Sequence, residues 1–286
     1  SSYLERLLYV DHIIEVSVPV VMDDGNIRVF SAYRSQHNNI KWPYKWGIRY
    51  HENVSKDEVM SLSAWMTLKT SVVWIPLWGW KWWIVVNPKE LSDAELERLT
   101  RWFVQKVSQY IGPDIDIPAP DVNTTSQIMW WIADEYAKVV WKWTPWVVTW
   151  KPISLWWSVW RSRATGTGAY YSLLSYLDSI WEKISEKTVA IQWAWNAGLV
   201  CAELVEDAWA TVVAISDSKG AIYDDSGLDV RMISQLKQGK TSVVDYWSWS
   251  SISNDELLCL DVDILVPAAL ENQITSDNVG AVKASM

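Results

Sequence analysis

Phenylalanine occurs twice in the 286 residues, cysteine twice and histidine three times. The cysteines, Cys201 and Cys259, stand far apart with no CxxC spacing, which argues against a disulfide framework or a thiolate zinc site. His12, His37 and His51 are isolated in sequence and read as ordinary surface or core histidines, not metal ligands. No apolar run reaches membrane-spanning length without a charge or proline, and the N-terminus has no signal-peptide pattern, so the reading is a soluble cytoplasmic chain. An excess of basic residues is also missing: 34 acidic side chains face 25 basic ones, for a net charge of −9, which argues against a nucleic-acid groove. Glycine is scarce, 11 residues where about 7% is ordinary, while tryptophan reaches 24.

The tryptophans cluster at Trp74, Trp78, Trp80, Trp82 and Trp83, between Trp141 and Trp160, and at Trp193 and Trp195. A tryptophan-rich surface can stack sugars or sit in a membrane interface, so a non-catalytic glycan- or lipid-binding protein is one alternative. Neither use explains indoles in the turns of a well-patterned α/β sequence. The scarcity of glycine and the excess of tryptophan read as one event. Half of the residues are apolar, enough for one large core or two ordinary ones.

Alternation predicts a strand over 12–20 and a second over 27–34, joined by the turn Asp23-Asp24-Gly25-Asn26. Ser55 can cap a helix with apolar positions from Val59 to Val72, and Ser92-x-x-Glu95 is a capping box opening a helix over 91–111. Ile84-Val85-Val86 reads as a short buried strand, whereas the stretches around Lys45 and Lys81 read as loops, as does the segment punctuated by Pro118, Pro120 and Asp121. A helix follows from Asn123 or Thr124 to Val140. This is a mixed α+β unit, assigned to 1–158. From 159 the rhythm changes to helix 164–184, strand 188–191, helix 196–208, strand 211–215 and strand 262–266. Alternating strand and helix predicts a Rossmann-like, doubly wound, parallel dinucleotide-binding domain over 159–286, incomplete at the C-terminus.

Three constellations bear on chemistry. After the strand TVAIQ, Gly198 stands at the third glycine of a GxGxxG fingerprint whose first two positions hold Trp193 and Trp195, and Asp217 ends the next strand 19 residues later, where an acid binds ribose hydroxyls. Alone this is a weak signal, since any βαβ unit has such a spacing. Lys45, Lys69 and Lys81, with Asp121, form a second set; desolvated lysines near a carboxylate suit acid–base work, although solvated surface lysines are the blander reading. Gly239-Lys240-Thr241 imitates the end of a P-loop, but Ser234 stands where the upstream glycine is required, so it reads as a turn.

Longer motifs carry a resemblance. YRSQHNNIKWPYKWGIRYH at 33–51, IPLWGWKWW at 75–83, DIDIPAPDVNT at 114–124, RSRATGTG at 161–168, VAIQWAWNAG at 189–198 and DVDILVPAALENQIT at 261–275 together resemble glutamate dehydrogenases of the hexameric Glu/Leu/Phe/Val dehydrogenase family. The usual family form has glycine at 42 and 46 and a run of glycines around the lysine at 81. The resemblance implies reversible oxidative deamination of L-glutamate to 2-oxoglutarate and ammonia with NAD or NADP, in a homohexamer; a dehydrogenase of another amino acid is the alternative within the class. It also implies roles. Lys45 would hold the side-chain carboxylate and Lys69 the α-carboxylate, with Met66 in the substrate site. Lys81 and Asp121 would be catalytic. Arg161, Thr165, Trp193, Trp195, Asn196, Gly198, Asp217 and Asn272 would line the cofactor. In relatives acting on leucine, valine or phenylalanine the position of Lys45 is apolar, so Lys45 favours glutamate. Asp217 suits an unphosphorylated ribose, whereas Ser218 and Lys219 suit a 2′-phosphate, which leaves both cofactors open. Tryptophan at any position with φ > 0 is expected to be strained, by about 1–3 kcal/mol.

Overall fold

The computed structural model describes residues 2–38, 40, 43–53, 55–239, 241–245, 249–270 and 272–286, with backbone alone at 2–4, 46 and 80. Trp42 and Lys240 lie outside the described residues. The chain divides into two compact units, Ser1–Ser158 and Val159–Met286.

In the first unit a short helix α1 (Ser2–Leu7) precedes β1 (His12–Val21) and β2 (Ile27–Gln36). These pair antiparallel from His12 opposite Gln36 to Val21 opposite Ile27. Gly25, at φ +85°, and the Asp24 carboxylate, which accepts from the Asn26 amide at 2.9 Å, close the intervening turn. There follow β3 (Tyr44–His51), α2 (Lys56–Val72), β4 (Trp78–Val85), α3 (Asp93–Val107), β5 (Asp116–Pro120) and α4 (Ser126–Val140). The strands form one sheet in the order β1-β2-β4-β3-β5, antiparallel as far as β4 and parallel beyond it. Ser55 caps α2 by accepting from the Glu58 amide, and the Ser92/Glu95 capping box opens α3, which ends at Val107, short of the predicted 111.

Two segments predicted as loops are strands. In β3 Tyr44, Ile48 and Tyr50, and in β4 Trp82 and Ile84, are buried in one core with Leu99, Phe103 and Val104 of α3 and Ile128, Met129 and Ile132 of α4. The alternation was there at period two, hidden by tryptophans and a proline. Trp82 meets Phe103 edge-on at 4.7 Å. β5 was also read as a loop, because prolines cannot donate to a ladder. As an edge strand it pairs with β3 alone among the named strands, and Pro118 and Pro120 are tolerated there.

The second unit runs α5 (Ala164–Ser179), β6 (Thr188–Gln192), α6 (Asn196–Asp207), β7 (Thr211–Asp217), β8 (Gly220–Tyr223), α7 (Val230–Gln238), β9 (Ser250–Ile252), α8 (Asn254–Leu258) and β10 (Ile264–Pro267). Its sheet order is β10-β6-β7-β8-β9. The three strands β10, β6 and β7 are parallel, as expected of a doubly wound sheet. β8 and β9 then add antiparallel, because Gly220 at φ +147° folds the chain straight back at the end of β7. Neither of these short strands was read from the sequence.

Seven tryptophans, Trp74, Trp141, Trp150, Trp156, Trp181, Trp193 and Trp209, have positive φ among the described residues. Four of them end α-helices: Trp74 follows α2, Trp141 caps α4, Trp181 follows α5 and Trp209 follows α6. At the last, the Trp209 amide bonds the Glu206 carbonyl and the Ala210 amide the Val205 carbonyl. This left-handed turn is where glycine ordinarily stops a helix.

Candidate active site

Strand alternation assembles a candidate substrate site in the first unit. Lys45, Gly47 and Arg49 fall on one face of β3, and Gly79 and Lys81 on the same face of β4, with Lys45 opposite Gly79. This face is opposite the apolar one, and α2 covers it. A Cβ on Gly79 would run into the Ser63 carbonyl and the Thr67 amide of α2, so glycine there lets β4 lie directly on the helix. The Gly79 amide donates to Thr67 Oγ1 at 3.2 Å. Helix α2 brings half-buried Met66 and exposed Lys69, in its last turn, to the same part of the unit.

Asp121 enters from the end of β5. A Cβ on Gly47 would sit 2.6 Å from Asp121 Cβ, so the second glycine makes room for the carboxylate. Its Oδ1 accepts from Arg49 Nε and from the Val122 amide, both at 2.8 Å, and its Oδ2 accepts from Lys81 Nζ. Lys81 is fully buried. Burial pushes the Asp121 carboxyl up, but the charges of Lys81 and Arg49, with the hydrogen bonds from Lys81 and Val122, outweigh it and hold the pKa below the ordinary aspartate value. Lys45 Nζ donates to Thr149 Oγ1 at 2.9 Å. The structure therefore brings Lys45, Lys81 and Asp121 onto one face, with Met66 and Lys69 on the helix packed against it. A cation in contact with a carboxylate supplies a proton donor and acceptor, and separate cations suit a dicarboxylate.

Arg49 escaped sequence reasoning, although the two-residue spacing from Lys45 and Gly47 marks it once β3 is recognised as a strand. Its guanidinium lies 5.0 Å over the Trp83 ring, which orients it towards Asp121. Lys151 was missed too. It is buried, donates to the Val148 carbonyl at 2.9 Å, and burial lowers its pKa.

A candidate dinucleotide site lies in the second unit. Gln192 to Gly198 is a tight strand-to-helix turn: Trp193 has φ +83°, its amide donates to Ser216 Oγ at 3.2 Å, and the Trp195 amide returns to the Trp193 carbonyl at 2.8 Å. A Cβ at 198 would collide with the Trp193 carbonyl, so Gly198 is the close-packing glycine of a fingerprint. Trp195 caps α6 without a side-chain hydrogen bond, and exposed Asn196 begins the helix. Gln192 Oε1, buried at the end of β6, has no partner among the described residues. A capless helix start and a close-packed glycine fit the backbone requirements of a dinucleotide. The indoles at 193 and 195, 37% and 51% exposed, are bulk where family members usually have none. Thr165 lies exposed in the first turn of α5, Arg161 sits in the turn before it with its pKa lowered by burial, and Asn272 is exposed at φ +62°.

Asp217 ends β7 as the fingerprint requires, but its carboxylate is engaged internally. Oδ1 accepts from the Lys219 amide and Ser242 Oγ, each at 2.9 Å, and Oδ2 from Lys237 Nζ at 2.8 Å and the Val243 amide at 3.0 Å.

Comparison with known proteins decides the family. Residues 11–138 match the Glu/Leu/Phe/Val dehydrogenase dimerisation domain, and 158–286 the Glutamate/Leucine/Phenylalanine/Valine dehydrogenase domain. The chain belongs to the Glu/Leu/Phe/Val dehydrogenases. It is 45% identical over 289 residues to the NADP-specific glutamate dehydrogenase of Synechocystis sp., covering 98% of this chain and 68% of the relative. The NAD-specific glutamate dehydrogenase A of Halobacterium salinarum is 42% identical, over all of this chain and 66% of its own length. The chain thus spans about two thirds of the length of these relatives. Among solved structures, hetero-hexameric glutamate dehydrogenase from Thermus thermophilus in a leucine-bound form superposes with a TM-score of 0.91 at 34% identity, covering 99% of this chain and 67% of that one. As Glu/Leu/Phe/Val dehydrogenases are nicotinamide-dependent, the expectation of an amino-acid dehydrogenase, against a tryptophan-rich binding module, stands. Among the described residues no helix is long and apolar enough to cross a membrane.

Proposed function

We propose that this dehydrogenase oxidatively deaminates L-glutamate to 2-oxoglutarate and ammonia, reversibly, with NAD or NADP. The observation that carries the reading is the Lys81–Asp121 pair on a face shared with Lys45 and packed against the helix of Lys69. Lys45 binds the side-chain carboxylate and Lys69 the α-carboxylate, with Met66 packing on the carbon chain between them. A charged position at 45 favours glutamate over the apolar amino acids of other family members. The bound dinucleotide supplies the hydride acceptor. Lys81, its proton passed to Asp121 across their hydrogen bond, takes a proton from the water that adds to the iminium carbon, and Asp121 hands its proton to the nitrogen so that it leaves as ammonia. Arg49 keeps Asp121 aimed at Lys81.

The dinucleotide is held by the second unit, through the fingerprint turn Trp193–Gly198, Asn196, Arg161, Thr165, Asp217 and Asn272. Tryptophan at 195 weakens that hold, because the second fingerprint position lets the pyrophosphate approach the backbone. A cytoplasmic homohexamer is part of the same reading; the hetero-hexameric Thermus relative supports six-subunit assembly. The test is glutamate-dependent reduction of NAD⁺ or NADP⁺, in the chain as it stands and with Trp193→Gly and Trp195→Gly, which should raise dinucleotide affinity. Lys81→Ala and Asp121→Asn should each lower kcat about 10²–10⁴-fold. Turnover that survives both, or occurs with leucine but not glutamate, would overturn the reading.

A further inference from the structure

We propose that Arg34 and Asp116, a buried ion pair on the core side of the first sheet, are positioning residues that hold β5 where the chemistry needs it. The inference rests on the glutamate reading of the first unit. Arg34 lies on β2 and Asp116 opens β5, with β4 and β3 between them in the sheet. The guanidinium passes 4.7 Å over the Trp82 ring of β4 and pairs with the Asp116 carboxylate, both side chains fully buried. Gln36 Nε2, also from β2, donates to Asp116 Oδ2 at 3.3 Å. The contact therefore spans the sheet from β2 to its edge.

Such an anchor has a purpose at β5. Pro118 and Pro120 leave two of the five residues of this edge strand without an amide to bond. Yet both the acid–base pair and the carboxylate-binding lysine depend on it. Asp121 follows it directly and is set so close to Gly47 that little displacement is tolerated. The Pro118 carbonyl accepts from the Thr149 amide at 3.0 Å and from Thr149 Oγ1 at 3.3 Å, and that same hydroxyl accepts from Lys45 Nζ at 2.9 Å. A shift of β5 would move Asp121 and, through Thr149, the Lys45 ammonium together. Stability does not account for the pair, because well-packed apolar side chains in place of a buried ion pair are often neutral or stabilising. What apolar side chains lack is direction: a planar guanidinium meets a carboxylate in few geometries.

The experiment compares the full chain with Arg34→Met/Asp116→Leu, which removes both charges together, and with Arg34→Lys, which keeps the charge without the planar fork. Glutamate-dependent reduction of NAD⁺ or NADP⁺ is followed across pH, 2-oxoglutarate binding by calorimetry and folding by thermal melts. The double variant should melt at or above the parent midpoint, yet lose about 10–100-fold in kcat, as a small misplacement of reacting groups can cause. Its 2-oxoglutarate affinity should fall several-fold, through Lys45. The acid limb of kcat/KM should move to higher pH, because burial raises the Asp121 pKa and the charges of Lys81 and Arg49, which hold it down, would lie farther away. A change in stability alone would leave that limb in place. Arg34→Lys should show the same shifts at smaller size, and it carries the test if the double variant does not fold. Parent kinetics, acid limb and 2-oxoglutarate affinity in the folded double variant, or in Arg34→Lys where only that variant folds, overturn the proposal. So does a loss of activity that merely follows the melting midpoint. A full chain that neither turns over glutamate nor binds 2-oxoglutarate, with or without Trp195→Gly, removes the glutamate reading and this role with it.

Discussion

Exchanging tryptophan for glycine at helix ends should stabilise this protein, whereas the same exchange in its core should unfold it. Trp141, Trp181 and Trp209 have φ of +54°, +62° and +69° and side chains 94%, 94% and 83% exposed. In each the Cβ crowds the backbone, at about 1–2 kcal/mol for a left-handed L-residue. Glycine relieves that strain but is freer in the unfolded chain, which offsets about 0.5–1 kcal/mol. An exposed indole contributes little burial to lose, so the net gain is roughly 0.5–1 kcal/mol per site. Trp181 and Trp209 lie in the same unit at separate helix ends and should add. The double variant should raise the midpoint of that unit by roughly 3–6 °C in a thermal melt followed by circular dichroism or calorimetry. Trp82→Gly provides the contrast. Its indole is fully buried against Phe103 and its backbone is regular strand, so the loss is about 3–5 kcal/mol or more. A lower midpoint for Trp181→Gly/Trp209→Gly would refute the argument, since it would mean that these indoles hold the fold through contacts that outweigh backbone strain.

Three further outcomes are expected. Lys45→Leu should reduce glutamate kcat/KM by about 10–100-fold, as loss of a charged hydrogen bond worth roughly 1.5–3 kcal/mol, while relative activity on apolar amino acids rises; unchanged glutamate kinetics would remove Lys45 from the substrate site. Gly79→Ala should abolish soluble folded protein or melt α2 away from β4, seen as lost helix signal, because its Cβ has nowhere to go between the Ser63 carbonyl and the Thr67 amide. The aspartates with lowered pKa set the acid sensitivity. For Asp217, burial pushes the pKa up, but the Lys237, Lys219, Val243 and Ser242 hydrogen bonds more than reverse it. Its folded pKa lies below the unfolded one, so its stabilisation is complete above about pH 4 and is lost as pH falls through the folded value. Asp217→Asn should therefore flatten the acid limb of the stability curve, measured by denaturant unfolding from neutral pH downward.

Much of this protein was legible in one dimension. The strands over 12–21 and 27–36, the Ser92/Glu95 capping box and the strand–turn–helix at 188–207 follow from local periodicity and capping, which act over a few residues. The family, too, was readable from six motifs, because its chemistry demands particular residues at particular spacings. Other features are decided only by the tertiary structure. Segments 44–51 and 116–120 and most of 78–85 look like loops, since prolines, lysines and indoles mask what alternation they carry. They are strands because β2, β3, β4 and β5 pair with one another across tens of residues, and because α3 and α4 bury alternate side chains of β3 and β4. Arg49 gains its meaning from the same pairing, which sets it beside an aspartate 72 positions away. Asp217 is the sharpest case: its place at a strand end is written in the sequence, but its four donors are not. Ser242 and Val243 lie 25 and 26 residues further on, and only the return of the chain from α7 brings them to the carboxylate. Local sequence sets what each residue can do, and long-range packing sets which of its hydrogen bonds are already taken.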